Sequence, residues 1–205
     1  MVEKLDGEMK TMLTTAWNAS TLKAITALSQ TLSKKASISN VFVDILKLGE
    51  VPSILNPDNS YTGVVWGEIS GVFNGVVVLS AEVKHILMLA EYLLHKPKGF
   101  FKDLSDENVS VIKEVTNIIA GYYIDSLNFF FDKGLVLGKV NLSVNSFKAV
   151  EFFGLGKTYD ESNEVFVLEN KFKIEGVVSK TFIITKSSVA KMFFERSLKK
   201  ASFKI

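Results

Sequence analysis

The sequence predicts an α+β protein: an antiparallel sheet system with two long helices, built from two related halves. Three observations predict it. A helix, strand, hairpin, helix order runs through residues 1–98 and recurs through 99–205. Both long helical segments space their apolar residues at three and four, whereas the strand segments are rich in β-branched residues. No polar linker separates the halves, because KPKGFFKD at 96–103 is short and aromatic. A chain of 205 residues fits one domain made of two pseudo-repeats.

The elements follow in order. Leu13, Trp17, Leu22, Ile25, Leu28 and Leu32 set a helix from about Lys4 to Leu32. SISNVFVDILKL then reads as a strand, and Pro52 with the NPDN segment marks a turn region. Tyr61–Ser70 and Val72–Leu79 read as a hairpin turning at Gly71, and Ser80 as the N-cap of a helix ending near Lys96. In the second half a helix spans about Asp106 to Phe131, and a strand spans Leu137–Val144. A loop carries Gly154, Gly156 and residues 159–163, and a hairpin over 165–185 turns at Glu175-Gly176. A last helix is capped by Ser187 or Ser188.

Composition excludes several functions. With no cysteine there is no disulfide, thiolate nucleophile or Cys-ligated metal, and the composition fits a cytoplasmic location. The N-terminus lacks the apolar core of a secretory signal, and no run of about 18 apolar residues predicts membrane insertion. The uncharged stretch from Ile69 to Ala81 is broken by glycine and polar residues and reads as buried strands. A net charge of +2 with scattered basic residues predicts no nucleic-acid partner. His85 and His95 are ten residues apart, too far to share a close helix face as metal ligands. GLGK at 154–157 lacks the Ser/Thr of a phosphate loop.

The second long helix carries the chemistry. Ser110, Glu114, Asn117, Gly121, Asp125 and Asn128 step by three or four and form one polar or small stripe. Apolar residues cover most of the remaining circumference. Glycine inside a helix costs about 1 kcal/mol relative to alanine, so Gly121 needs a reason. Spacing alone leaves it open. The gap beside Asn117 could admit a partner or a ligand. Equally, Gly121 could mark a helix crossing, Asn117 could be bonded within the fold, and Glu114 could be an ordinary solvated residue.

The segment VIKEVTNIIAGYYIDSLNFFF resembles the second active helix of the CheC family of chemotaxis phosphatases, related to CheX and the phosphatase domain of FliY. The family motif falls on Ser110, Glu114 and Asn117. LTTAWNASTLKAITALSQTLSKKASI resembles the first active helix, and EVPSIL, the 61–79 hairpin and FER at 194–196 also look CheC-like. The resemblance covers essentially the whole chain and is nearest to CheC itself. It implies hydrolysis of the aspartyl phosphate of CheY, with Asn117 orienting the attacking water and Glu114 contacting the regulator's lysine. Ser110 and Gly121 would support them. The chain would need no cofactor of its own, because the magnesium would belong to CheY. Its implied partners are phosphorylated CheY, the deamidase CheD and flagellar motor proteins.

Laying the two helices over each other at an offset of 99 pairs Thr11 with Ser110, Thr15 with Glu114 and Asn18 with Asn117. The first face keeps only its amide. Thr15 replaces the acid and Leu22 stands opposite Gly121, so the first site is expected to be dead or weak. Asn40 and Asn145 replace a motif proline, and Thr116 replaces a usual glycine. A small insertion is expected around Asp132–Gly138. A competing expectation is a degenerate, non-catalytic protein that sequesters phosphorylated CheY or regulates CheD. A chain of this length has no room for the extra domains of FliY, so any motor contact would be made in trans.

Overall fold

The computed structural model describes residues 5–55, 62–144 and 163–202. Helix α1 spans Gly7–Leu32. Asp6 caps it by accepting from the Met9 amide at 2.7 Å, and Ser33 ends it in the left-handed region. Strand β1 is Ala36–Lys47. A 3-10 turn at Leu48–Glu50 runs into the short helix α2, Val51–Leu55, so Pro52 sits in a helical turn. The NPDN segment lies outside the described residues.

Strands β2 (Thr62–Gly71) and β3 (Gly75–Glu82) form the first hairpin. The turn is Val72–Asn74, not Gly71, which closes β2 with φ +120°. A Cβ at Gly71 would collide with the Gly134 carbonyl, whose oxygen accepts from the Val72 amide at 2.9 Å. The expected cap at Ser80 is also corrected. Ser80 is buried within β3 and its hydroxyl donates to the Leu55 carbonyl at 3.0 Å. Sheet pairing therefore outcompetes helix initiation, and α3 begins three residues later, spanning Val83–Leu93.

Helix α4 spans Asp106–Asn128 and ends three residues before the expected Phe131. The Asn128 side chain donates to the Leu135 carbonyl at 3.0 Å and accepts from the Leu135 amide at 2.8 Å. That pair stops the helix and starts β4, Leu135–Val144. Six residues join α4 to β4, but only three join α1 to β1, which locates the insertion. Strands β5 (Glu164–Ile174) and β6 (Val177–Lys186) turn at Glu175 and Gly176, both at positive φ. Helix α5, Ser188–Ser202, closes the described chain. The loop with Gly154 and Gly156, GLGK at 154–157 and Asn145 lie outside the described residues.

All six strands join one antiparallel sheet in the order β1-β5-β6-β3-β2-β4. Exchanging β1 with β4, β2 with β5 and β3 with β6 returns the same order reversed. The first strand of each half pairs with the second strand of the other. One face of the sheet packs beneath the long helices through Val77, Leu79, Leu168 and Ile183. Its other face meets Leu48, Val51 and Leu55 through Val76, Val78, Val167 and Ile184. Strand β3 is thus buried on both sides, which explains its unbroken apolar run.

Candidate phosphatase face on the second long helix

Helix α4 lies on the sheet with Ile112, Val115, Ile119, Tyr123 and Leu127 buried. These apolar positions fix the rotation of the helix, and the motif residues fall on its outer side. Ser110, Glu114, Asn117 and Asp125 are all exposed, and Gly121 is half-buried. The Ser110 hydroxyl folds back onto the Asp106 carbonyl at 3.1 Å. Glu114 and Asn117 have no hydrogen bond or ion pair with any described residue. Their carboxylate and amide face outward, one helical turn apart.

This disposes of two structural explanations. Asn117 is not bonded within the described fold. Gly121 is not a close helix crossing, because a Cβ built there meets nothing within 4 Å. The glycine leaves open space beside the amide and gains no packing from it. Thr116, the departure nearest the motif, is buried behind the exposed face and its hydroxyl has no partner. It therefore leaves the outer surface at Glu114 and Asn117 unaltered. Asn128 leaves the stripe, since both ends of its amide are spent on Leu135.

The twin face on α1 is laid out alike but chemically blunted. Thr11, Thr15 and Asn18 are exposed. The Thr11 hydroxyl donates to the Gly7 carbonyl at 2.8 Å and the Thr15 hydroxyl to the Thr11 carbonyl at 2.9 Å. Leu22 is 59% exposed, so it leaves the apolar stripe of α1 and stands in the open where α4 has Gly121. The two helices cross antiparallel: Thr31 of α1 bonds the Tyr122 hydroxyl, and Lys23 sits 3.9 Å above the Phe129 ring. The motif faces are therefore held on separate stretches of the helical layer. Among 129–131, Phe130 and Phe131 are core, but Phe129 remains 42% exposed.

Asn40, on β1, is exposed. Among the described residues no three His, Asp or Glu side chains gather to hold a metal ion. No helix among them is long and apolar enough to cross a membrane. The site adds nothing that sequence reasoning had missed on the α4 face itself. What the sequence hid was a groove beside Thr15, lined across chain by Phe129 and Lys200.

No family model matches the sequence, and no curated protein matches it. Solved structures do match, and at these identities they establish the fold: that of FliY, CheX and the FliM middle domain. The resemblance read from the motif helices thus holds at the level of the fold. FliY of Thermotoga maritima is 22% identical, with a TM-score of 0.70 over 96% of this chain and 98% of its own. The FliM middle domain of Vibrio alginolyticus is 13% identical, with a TM-score of 0.60 over 88% and 99%. CheX of Desulfovibrio desulfuricans, called a chemotaxis protein, is 12% identical, with a TM-score of 0.52 over 82% and 97%.

Proposed function

We propose that this protein dephosphorylates the aspartyl phosphate of a CheY-type response regulator through the α4 face. The carrying observation is the outward Glu114–Asn117 pair, unpartnered among the described residues, beside the open space at Gly121. An amide both donates and accepts hydrogen bonds, so Asn117 can hold a water in line with the phosphorus without acting as a base. Phosphoryl transfer rests on positioning and charge stabilisation, so an oriented water is a sufficient contribution. Glu114, one turn away on the same rigid helix, pairs with a lysine of the regulator and fixes the approach. The magnesium of the reaction comes with the regulator.

The first face acts weakly or not at all, because Thr15 cannot offer a carboxylate and Leu22 crowds Asn18. That erosion favours a second reading, a binding protein that retains phosphorylated CheY or regulates CheD without turnover. FliM structures with this fold include complexes with FliG and with SpeE from H. pylori. A partner of the motor, contacted in trans, fits the same reading.

The test is loss of phosphate from phosphorylated CheY at substoichiometric protein. Asn117→Ala is expected to slow turnover by about 100-fold, the scale of a misplaced reacting group. Its thermal midpoint should stay at or above wild type, because the site is exposed and alanine favours helix. Equal rates for both proteins would end the catalytic assignment. Tight binding of phosphorylated CheY without turnover by the wild type would establish the second reading instead.

A further inference from the structure

A groove of about 240 Å³ runs between α1, the end of α4 and α5. Ala16, Ser20 and Phe130 are buried at its floor, and the exposed Phe129 stands at its wall. Its origin lies in a difference between the halves. At the offset that pairs the motif helices, Ala19, Ser20 and Lys23 correspond to Ile118, Ile119 and Tyr122. Ile119 is buried in the core and Ile118 and Tyr122 are half-buried, so bulk fills that position of the second half. Two small residues and a flexible lysine leave it open in the first.

The groove has features that the core does not explain. The Ser20 hydroxyl is buried at its floor with no hydrogen-bond partner. Among the described residues, its only charged lining side chains are Lys23 and Lys200. Lys23 has no carboxylate partner among the described residues and rests its ammonium 3.9 Å over the Phe129 ring. Lys200 shares the single carboxylate of Asp132 with Arg196, at 3.0 and 2.7 Å, which leaves that corner with excess positive charge. Just outside the groove, Leu22 adds exposed apolar surface.

We infer that this groove docks a peptide segment of a partner protein, one that inserts an apolar side chain between α1 and α5 and carries flanking carboxylates. The apolar walls receive the anchor, and Lys23 and Lys200 receive the acids. The unpartnered Ser20 hydroxyl takes a backbone group of the segment. The blunted half is then a recruitment site, physically separate from the α4 face.

A phage-displayed library of random 12-residue peptides, selected on the folded full chain, supplies the probe. Selected sequences should be acidic around a Leu, Met or Phe anchor. Fluorescein-labelled copies should bind with an affinity that falls steeply with salt. Filling the groove with its twin's residues, Ala19→Ile with Ser20→Ile, should weaken binding by at least about tenfold, equivalent to about 1.4 kcal/mol. The exposed Lys23→Glu should do the same without touching the core. Neither should change the rate on phosphorylated CheY. Selection of basic or neutral peptides, no selection at all, or undiminished binding by Lys23→Glu overturns the inference. So does a groove-dependent self-association in sedimentation velocity, or groove-dependent binding to phosphatidylserine vesicles, in place of peptide binding.

Discussion

Gly121 is where residue-scale chemistry separates function from packing. A helix glycine costs about 1 kcal/mol relative to alanine, and at Gly121 the space a Cβ would take is open, so the structure shows no packing return. Gly121→Ala should therefore raise the thermal midpoint. The same methyl would intrude on the space beside Asn117, so turnover of phosphorylated CheY should drop several-fold. A variant that is both more stable and fully active would show that the clearance serves nothing. The polar stripe was legible in the sequence because spacing of three and four places residues on one face. Its division was not. Asn128 looks like a member of the stripe, yet it closes the α4–β4 junction through Leu135, a contact that spacing cannot reveal. The exposed Leu22 was misplaced for a related reason. Its spacing of three from Ile25 matches a core residue, but α1 turns that position to the outside.

Elements were legible where local chemistry decides them and obscure where pairing does. The Glu175-Gly176 turn is readable because a glycine in a two-residue hairpin loop supplies positive φ, and here both loop residues adopt it. The first hairpin is harder to read, because the glycine at position 71 serves a close approach to Gly134, where a Cβ has no room, and not the turning of the chain. Ser80 has the right chemistry for a cap, but β3 pairs with both β2 and β6 through that residue and holds it extended. Helix α3, which follows, carries a pH-sensitive contact. Desolvation against the sheet holds the His85 imidazole below its ordinary value of 6.5, more than the nearby Glu82 carboxylate raises it. A depressed folded value means that folding favours the neutral ring. Its stabilising contribution is present above about pH 6.5 and is lost as pH falls through the lower folded value. Urea midpoints should therefore decline from pH 7.5 to 5.5 more steeply for wild type than for His85→Gln. Parallel declines would remove His85 as the cause.

At the scale of the whole molecule, the repeat order was visible in the sequence but the interleaving of the halves was not. Nothing local says that β1 will pair with β5 and β4 with β2, because those ladders join residues far apart in the chain, such as Ala36 with Ile174 and Gly63 with Val144. The consequence is testable. Residues 99–205 alone would leave β4 without β2 and β6 without β3, so the fragment should lack a cooperative thermal transition. A cooperatively melting fragment would mean that the halves are self-sufficient. Interleaving also lets the outer faces of the two long helices differ while both halves keep their place: α1 holds Trp17, Leu28 and Leu32 in the common core, and its outer face is not bound by that packing. The central claim is that the outer face of α4 hydrolyses and that of α1 does not. It is tested most directly by turnover of phosphorylated CheY with Asn18→Ala, Asn117→Ala and the double variant, side by side with wild type. The account predicts a rate near wild type for Asn18→Ala, and rates about 100-fold down and equal to each other for the other two. A large loss in Asn18→Ala with little in Asn117→Ala would contradict it.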